Sequence, residues 1–229
     1  MTAGAAAVRV VTATAAFALL HSALASRAAK AAAARVPGGR NRGAYRAFFN
    51  AQAALTTAVL AMYVRKLPDR ELYSIGGPAR VVMRAGQAAG LLLLVDAVRR
   101  VGLGQLTGSS SLARLGREDA MALRGPEAQG PSLDEHGRLH VRGAFLRSRH
   151  PLNLAPVPIL WLNPRMTRNL AVFSAAATAY FWVGSWHEER RLLAAYGDAY
   201  RTYVEGPVPF FFGSRTLIGA PPEEHSAGH

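Results

Sequence analysis

NLAVFSAAATAYFWVGSW, residues 169–186, runs for eighteen residues without Asp, Glu, Lys or Arg, and HEERR, residues 187–191, follows at once. A helix rises about 1.5 Å per residue, so crossing about 30 Å of hydrocarbon takes about 20 mostly apolar residues, with about 17 as the short limit. The stretch meets that limit and ends in an acid pair where a membrane boundary would fall. Residues 10–26 and 47–64 are equally free of charge over 17 and 18 residues. Residues 85–98, AGQAAGLLLLVDAV, are interrupted only by Asp96; they reach spanning length with Arg80, Arg84, Arg99 and Arg100 at the ends, their side chains extended to water. PLNLAPVPILWLN, residues 151–163, is too short to cross alone and holds three prolines. Joined to 169–186 through Asn163-Pro164-Arg165, it makes one arm of a hairpin whose freed carbonyls must face protein. The expected fold is all-α: an integral membrane bundle of four to five transmembrane helices, with a short proline-rich hairpin at about 151–187.

Composition agrees. The chain has 229 residues, 27 basic and 14 acidic, for a net charge of +13; half are hydrophobic and none is cysteine. Zero cysteine excludes a disulfide framework, a thiolate metal site and a cysteine nucleophile. Lys30 and Lys66 are the only lysines, and with the excess of Ala and Gly this reads as genome composition rather than selection for guanidinium chemistry. With the amino terminus outside and five helices following, the loops 27–46 and 99–149 and the tail after His187 hold nineteen basic residues, against seven in 65–84 and 165–168. That bias follows the positive-inside rule and places the chain in the inner membrane, multi-pass, with its carboxy-terminal site facing the cytoplasm. Aromatics are only 8% and do not alternate with the basic residues, so nucleic acid is not an expected partner. The bilayer is, with its anionic headgroups.

The expected organisation is a three-helix membrane part at 1–103, a polar cytoplasmic loop at 104–140, a carboxy-terminal part at 141–213 and a disordered tail at 214–229. Ala23-Leu24-Ala25 before Ser26 has the form of a signal-peptide cleavage site. Only Arg9 precedes it and His21 sits just before it, so the first helix is read as retained.

Familiar motifs fail on inspection. Gly102-Leu103-Gly104 is followed by Gly108, one residue late for a dinucleotide loop, and no strand precedes it. His187-Glu188 begins like a zinc-protease helix, but Arg191 occupies the second histidine position. His136 and His140 read as members of a solvated loop, and no metal is expected.

What remains lies near the carboxy terminus: Arg147-Ser148-Arg149-His150-Pro151, then Trp186 to Arg191, then Tyr196, Tyr200 and Tyr203, spaced to share one helical face. Glu188 and Glu189 at a membrane boundary are costly unless held by partners or used. One reading pairs them with Arg190, Arg191 or an arginine of 138–149, inside an interfacial aromatic belt. The other binds a cationic, partly apolar cofactor: carboxylates hold an ammonium, aromatic faces attract a sulfonium, and carbonyls freed by Pro151, Pro156 and Pro158 read an adenine edge.

RHPLNL (149–154), NPRMT (163–167) and EERRLLAAYGDAYRTYVEGPVPFF (188–211), preceded by Gly143-Ala144-Phe145, resemble the membrane methyltransferases related to isoprenylcysteine carboxyl methyltransferase and the phospholipid methyltransferases. LLHSALASR (19–27) and YRAFFN (45–50) are similar to the first half of NnrU-like and thiol-methylating bacterial members. The resemblance implies S-adenosylmethionine as cofactor, held by Arg149, His150, Pro151, Asn153 and Leu154 from one arm and by Glu188, Glu189 and Tyr200 from the other. It implies catalytic roles for Arg149, His150 and Glu188. Apart from the resemblance, the charges of Arg147 and Arg190 would steer an ionised substrate, and His21, within the first helix, is read either as a substrate contact or as a polar group bonding a neighbouring helix. The implied activity is methyl transfer to a small lipophilic or membrane-delivered acceptor, a thiol, carboxylate or phospholipid amine. A competing reading is a non-catalytic transporter or assembly partner that keeps the scaffold. Two positions depart from the family pattern: Asn153 replaces a tyrosine, and Phe210-Phe211-Phe212 runs where a final proline is usual. The linking loop is also longer and more polar than the pattern.

Overall fold

A computed structural model describes residues 3–35, 42–107, 109, 130–134 and 136–213. In chain order these form α1 (Ala3–Ala25), α2 (Arg27–Ala33), α3 (Arg42–Lys66), β1 (Glu71–Ser74), α4 (Gly77–Val101), α5 (Leu103–Thr107), a 3-10 turn (Gly143–Leu146), α6 (Pro151–Leu154), α7 (Pro156–Trp161), β2 (Arg165–Thr167), α8 (Arg168–Tyr196) and α9 (Asp198–Glu205). Most of the polar stretch 104–140 and all of the tail 214–229 fall outside the described residues.

Local chemistry sets the helix ends. Ser26 Oγ accepts the Ala29 N–H to start α2, and Thr167 Oγ1 accepts the Leu170 N–H to start α8. Gly197 stops α8 at φ +56°, a conformation that favours glycine.

Among the described residues, α1, α3 and α4 are long and apolar enough to cross a membrane. Val8, Val11, Leu55, Val59, Val82 and Leu92 point out of the bundle. In water so much outward apolar surface would drive aggregation; against acyl chains it is the ordinary surface of a membrane protein. Helix α8 is longer still, 29 residues, but Asn169, Ser174, Thr178 and Ser185 make its uncharged stretch less apolar than the other three. Its polar groups turn inward: Asn169, Ser174 and Ser185 are buried.

α8 is the axis of the assembly. α1 packs on one side and runs parallel to it, with Ala6 and Val10 buried near Val172 and Phe173, and Ser22 Oγ 3.0 Å from Tyr180 Oη. The proline-bearing arm α6–α7 packs on another side and runs antiparallel: Trp161 Nε1 donates to Thr178 Oγ1 at 3.0 Å and Asn153 Nδ2 to Ser185 Oγ at 2.9 Å. α4 closes over the arm. Gly86 and Gly90 lie one turn apart on that face, and a Cβ on Gly90 would come within 2.9 Å of the Ala155 carbonyl oxygen and of Pro158. Two glycines four residues apart thus let α4 and the arm approach backbone to backbone.

The all-α expectation needs one addition. β1 and β2 pair antiparallel, with Tyr73 opposite Met166 and Ser74 opposite Arg165. The turn after the arm leaves Pro164 O for the Ile75 N–H (2.8 Å), while Asp69 Oδ1 accepts the Asn169 N–H at 3.0 Å. The pairing joins the α3–α4 connection to the arm–α8 turn.

Candidate functional site

Arg149 and His150 lie between the 3-10 turn and α6, His150 as the residue that caps α6; Glu188 and Glu189 lie within the last three turns of α8. Ser148, Arg149 and His150 are all buried. Arg149 Nε donates to Glu189 Oε2 at 2.9 Å and Nη1 to Val208 O at 2.9 Å, while the Arg149 N–H donates to Pro209 O at 2.9 Å. The guanidinium therefore fastens the segment 204–209 and the α8 carboxylate to one point.

His150 stands between two carboxylates. Its Nε2 lies 3.1 Å from Glu189 Oε2 and its Nδ1 3.5 Å from Glu188 Oε2. Burial opposes a charge on the ring, but hydrogen bonding and the negative charges of Glu188 and Glu189 outweigh it and hold the imidazole pKa above the usual 6.5. Burial likewise works against the Glu189 anion, and the bonds from His150 and Arg149 overcome it, keeping that carboxyl below 4.5. The result is a buried cluster in which the two carboxylates favour the protonated form of the His150 ring.

Asn153, where the family pattern has tyrosine, donates to Ser185 Oγ at 2.9 Å and to Glu188 Oε2 at 3.4 Å. Phe210, near the place of the missing proline, packs its ring 4.7 Å from that of His150 and lies beneath the Arg149 guanidinium. Both departures are filled by contacts that hold the same cluster. Pro151 and Leu154 are buried beneath it.

The three tyrosines do not share one helix. Gly197 separates Tyr196, which ends α8, from Tyr200 and Tyr203 on α9. Tyr200 is fully buried, and among the described residues its hydroxyl has no hydrogen-bond partner. Burial, reinforced by Glu189, drives its pKa well above 10, so the orphan is a neutral O–H. Tyr203 Oη donates to Phe145 O at 2.5 Å.

The expected substrate residues stand apart from this cluster. Arg147 is exposed, and Arg190, also exposed, lies over the Trp186 ring at 3.6 Å. His21 sits among Phe17, Phe49 and Tyr180. Tyr180 and Ser185 are about 140° apart around α8 at about 100° per residue, so His21 meets a different side of that helix from Asn153. A cavity of about 420 Å³, lined among others by Leu139, Val141, Thr202, Tyr203, Pro207 and Val208, touches the cluster only through Tyr203 and Val208. Among the described residues no group of three His, Asp or Glu is placed to hold a metal ion.

Sequence reading missed Ser148, Ser185 and Phe210. Ser148 Oγ accepts the His150 N–H and donates to Phe210 O. Ser185 stands three residues before Glu188, which is the one signal that could have placed it on the same face.

No family model matches the chain, and no solved structure matches it. Segments of it are similar to curated proteins named methanethiol S-methyltransferase. Over 55 residues, 24% of this chain and 22% of the relative, it is 47% identical to the one from Mycobacterium tuberculosis. Over 102 residues, 43% of this chain and 37% of the relative, it is 34% identical to methanethiol S-methyltransferase 2 of Bradyrhizobium diazoefficiens. Over 77 residues, 34% and 29% respectively, it is 34% identical to the one from Pseudomonas deceptionensis. In these three the matched stretches span between about a fifth and two fifths of the relatives' length.

Proposed function

We propose that this protein is an integral membrane methyltransferase that uses S-adenosylmethionine to methylate a small thiol. The observation that carries the reading is the buried His150 ring held between Glu188 and Glu189, beside the buried Tyr200 hydroxyl, which has no hydrogen-bond partner among the described residues. The similarity to proteins named for methanethiol favours a thiol over the carboxylate and phospholipid amine acceptors.

The residues fit the cofactor. Glu188 and Glu189 form an anionic end suited to an ammonium and to ribose hydroxyls, Arg149 and His150 hold those carboxylates in place, and the Tyr200 O–H is a donor with no acceptor among the described residues. Bound there, S-adenosylmethionine would supply an electrophilic methyl whose positive charge is quenched on transfer to sulfur. A carboxylate beside that methyl would oppose the quenching, so the acid pair is assigned to the amino acid or ribose end. The protein's work is then to hold donor and acceptor in line without water, which alone can supply about 7–11 kcal/mol. Exposed Arg147 and Arg190 lend positive charge to the approach, favouring an ionised thiol over a neutral one.

In this reading α8 is a fourth crossing, α6–α7 runs part of the way back beside it, and the site faces the cytoplasm of the inner membrane. The test is an assay of detergent-purified protein with S-adenosylmethionine and methanethiol, following dimethyl sulfide by gas chromatography. Dimethyl sulfide formed in proportion to protein and lost in His150→Ala supports the proposal; methylation of carboxylate or amine acceptors alone overturns the choice of acceptor, and no methylation at all overturns the reading.

A further inference from the structure

Asp96 is the single carboxylate in the uncharged run of α4, one turn before the helix ends. Its Oδ2 accepts the Ala144 N–H at 2.6 Å, and its Oδ1 accepts Arg100 Nε at 3.2 Å. The bond to Ala144 passes directly over Gly143, where φ is +58° and a Cβ would overlap Asp96 Oδ2 and crowd Arg100 Nε. Glycine at 143 thus answers two demands at once: a left-handed backbone, and room for a carboxylate from another helix.

Beyond Gly143 the chain is pinned residue by residue. Tyr203 Oη bonds Phe145 O, Ser148 Oγ bonds Phe210 O and receives the His150 N–H, and the Arg149 N–H bonds Pro209 O. Those pins all come from the carboxy-terminal segment, whereas Asp96 comes from the amino-terminal part. We infer that Asp96 is a positioning residue for the site: by accepting the Ala144 N–H across Gly143, it fixes the origin of the turn that aims His150 between Glu188 and Glu189. The inference rests on the methyltransferase reading only for its binding readout; its geometry stands without it.

The test compares Asp96→Asn, Asp96→Ala and Arg100→Ala in the detergent-purified full chain, with two readouts: calorimetric affinity for S-adenosylmethionine, and the titration of His150 by NMR of histidine-labelled protein. Asn retains an acceptor oxygen and Arg100→Ala retains the carboxylate, so both are expected within about threefold of wild type, with His150 titrating as before. Asp96→Ala is expected to weaken binding at least about tenfold and to move the His150 titration towards that of an ordinary histidine. Asp96→Ala matching wild type in both readouts would overturn the inference. So would Arg100→Ala or Asp96→Asn behaving as badly as Asp96→Ala, because the ion pair and not the Ala144 bond would then be the active element. Should Asp96→Ala fail to fold, Gly143→Ala, whose Cβ would displace the Asp96 carboxylate, takes its place with the same two losses expected, and wild-type behaviour of that variant would overturn the inference. If wild type binds no S-adenosylmethionine, the methyltransferase reading fails while the His150 titration continues to judge the positioning role.

Discussion

Helices α1, α3 and α4 present Val11, Val59 and Leu92 outward and owe their placement to length and apolar composition. The segment from Ser148 to Phe211 is organised differently, around buried Arg149, His150 and Glu188, with main-chain carbonyls of Val208, Pro209 and Phe210 as acceptors. The first region tolerates exchange of one apolar residue for another, since acyl chains are as apolar as leucine. The second does not, because a buried charge that loses its partner is left with its desolvation cost. The contrast teaches where specificity resides: the membrane part sets depth, and the polar cluster sets one conformation.

The largest break is expected at Arg149. Arg149→Ala leaves the Val208 carbonyl without its donor and Glu189 with His150 alone and should destabilise the folded protein by about 3–5 kcal/mol, read as a lowered thermal midpoint in detergent or loss of folded yield. Next come the close approaches. Gly90→Ala drives a Cβ against the Ala155 carbonyl oxygen and should cost about 1–3 kcal/mol. Gly184→Ala, with nothing within 4 Å among the described residues, should be neutral or stabilising by up to about 1 kcal/mol. Thermal midpoints of the pair, measured side by side, separate packing from helix propensity.

Titration sharpens the contrast further. The His150 pKa is raised on folding, so its contribution is fully present below 6.5 and is lost as pH rises through the raised value. Glu189 is depressed, so its contribution is present above 4.5 and is lost as pH falls through the lowered value. Wild type should therefore lose its stability advantage over His150→Gln on the alkaline side, in a pH series of melting curves. The smallest stability effect belongs to Tyr200→Phe. Removing an unpartnered hydroxyl should change stability by less than about 0.5 kcal/mol, while the loss of one donor to a ligand costs about 0.5–1.5 kcal/mol of binding, a several-fold weaker affinity in calorimetry.

Legibility in the sequence followed the same division. The charge-free runs at 10–26 and 47–64, and the run at 85–98 broken only by Asp96, mark the three helices because a membrane crossing is a property of composition. Arg149, His150, Glu188 and Glu189 were legible as chemistry-bearing types at a boundary, and they meet. What composition does not encode is which side of α8 a residue faces and which carbonyl a guanidinium reaches. Hence His21, chosen for its place in the first helix, lies in an aromatic cluster on a different side of α8. The glycine break at 197 likewise divides tyrosines that a continuous helix would align. The β1–β2 pair went unseen because its strands are short and one follows a proline turn whose carbonyls needed donors.

Calorimetric titration of S-adenosylmethionine into the detergent-purified full chain, with His150→Ala and Glu188→Ala beside it, tests the central claim most directly. Saturable binding by wild type, weakened at least about tenfold in both variants, is the predicted result. Absence of binding by wild type, or equal binding by all three proteins, would contradict it.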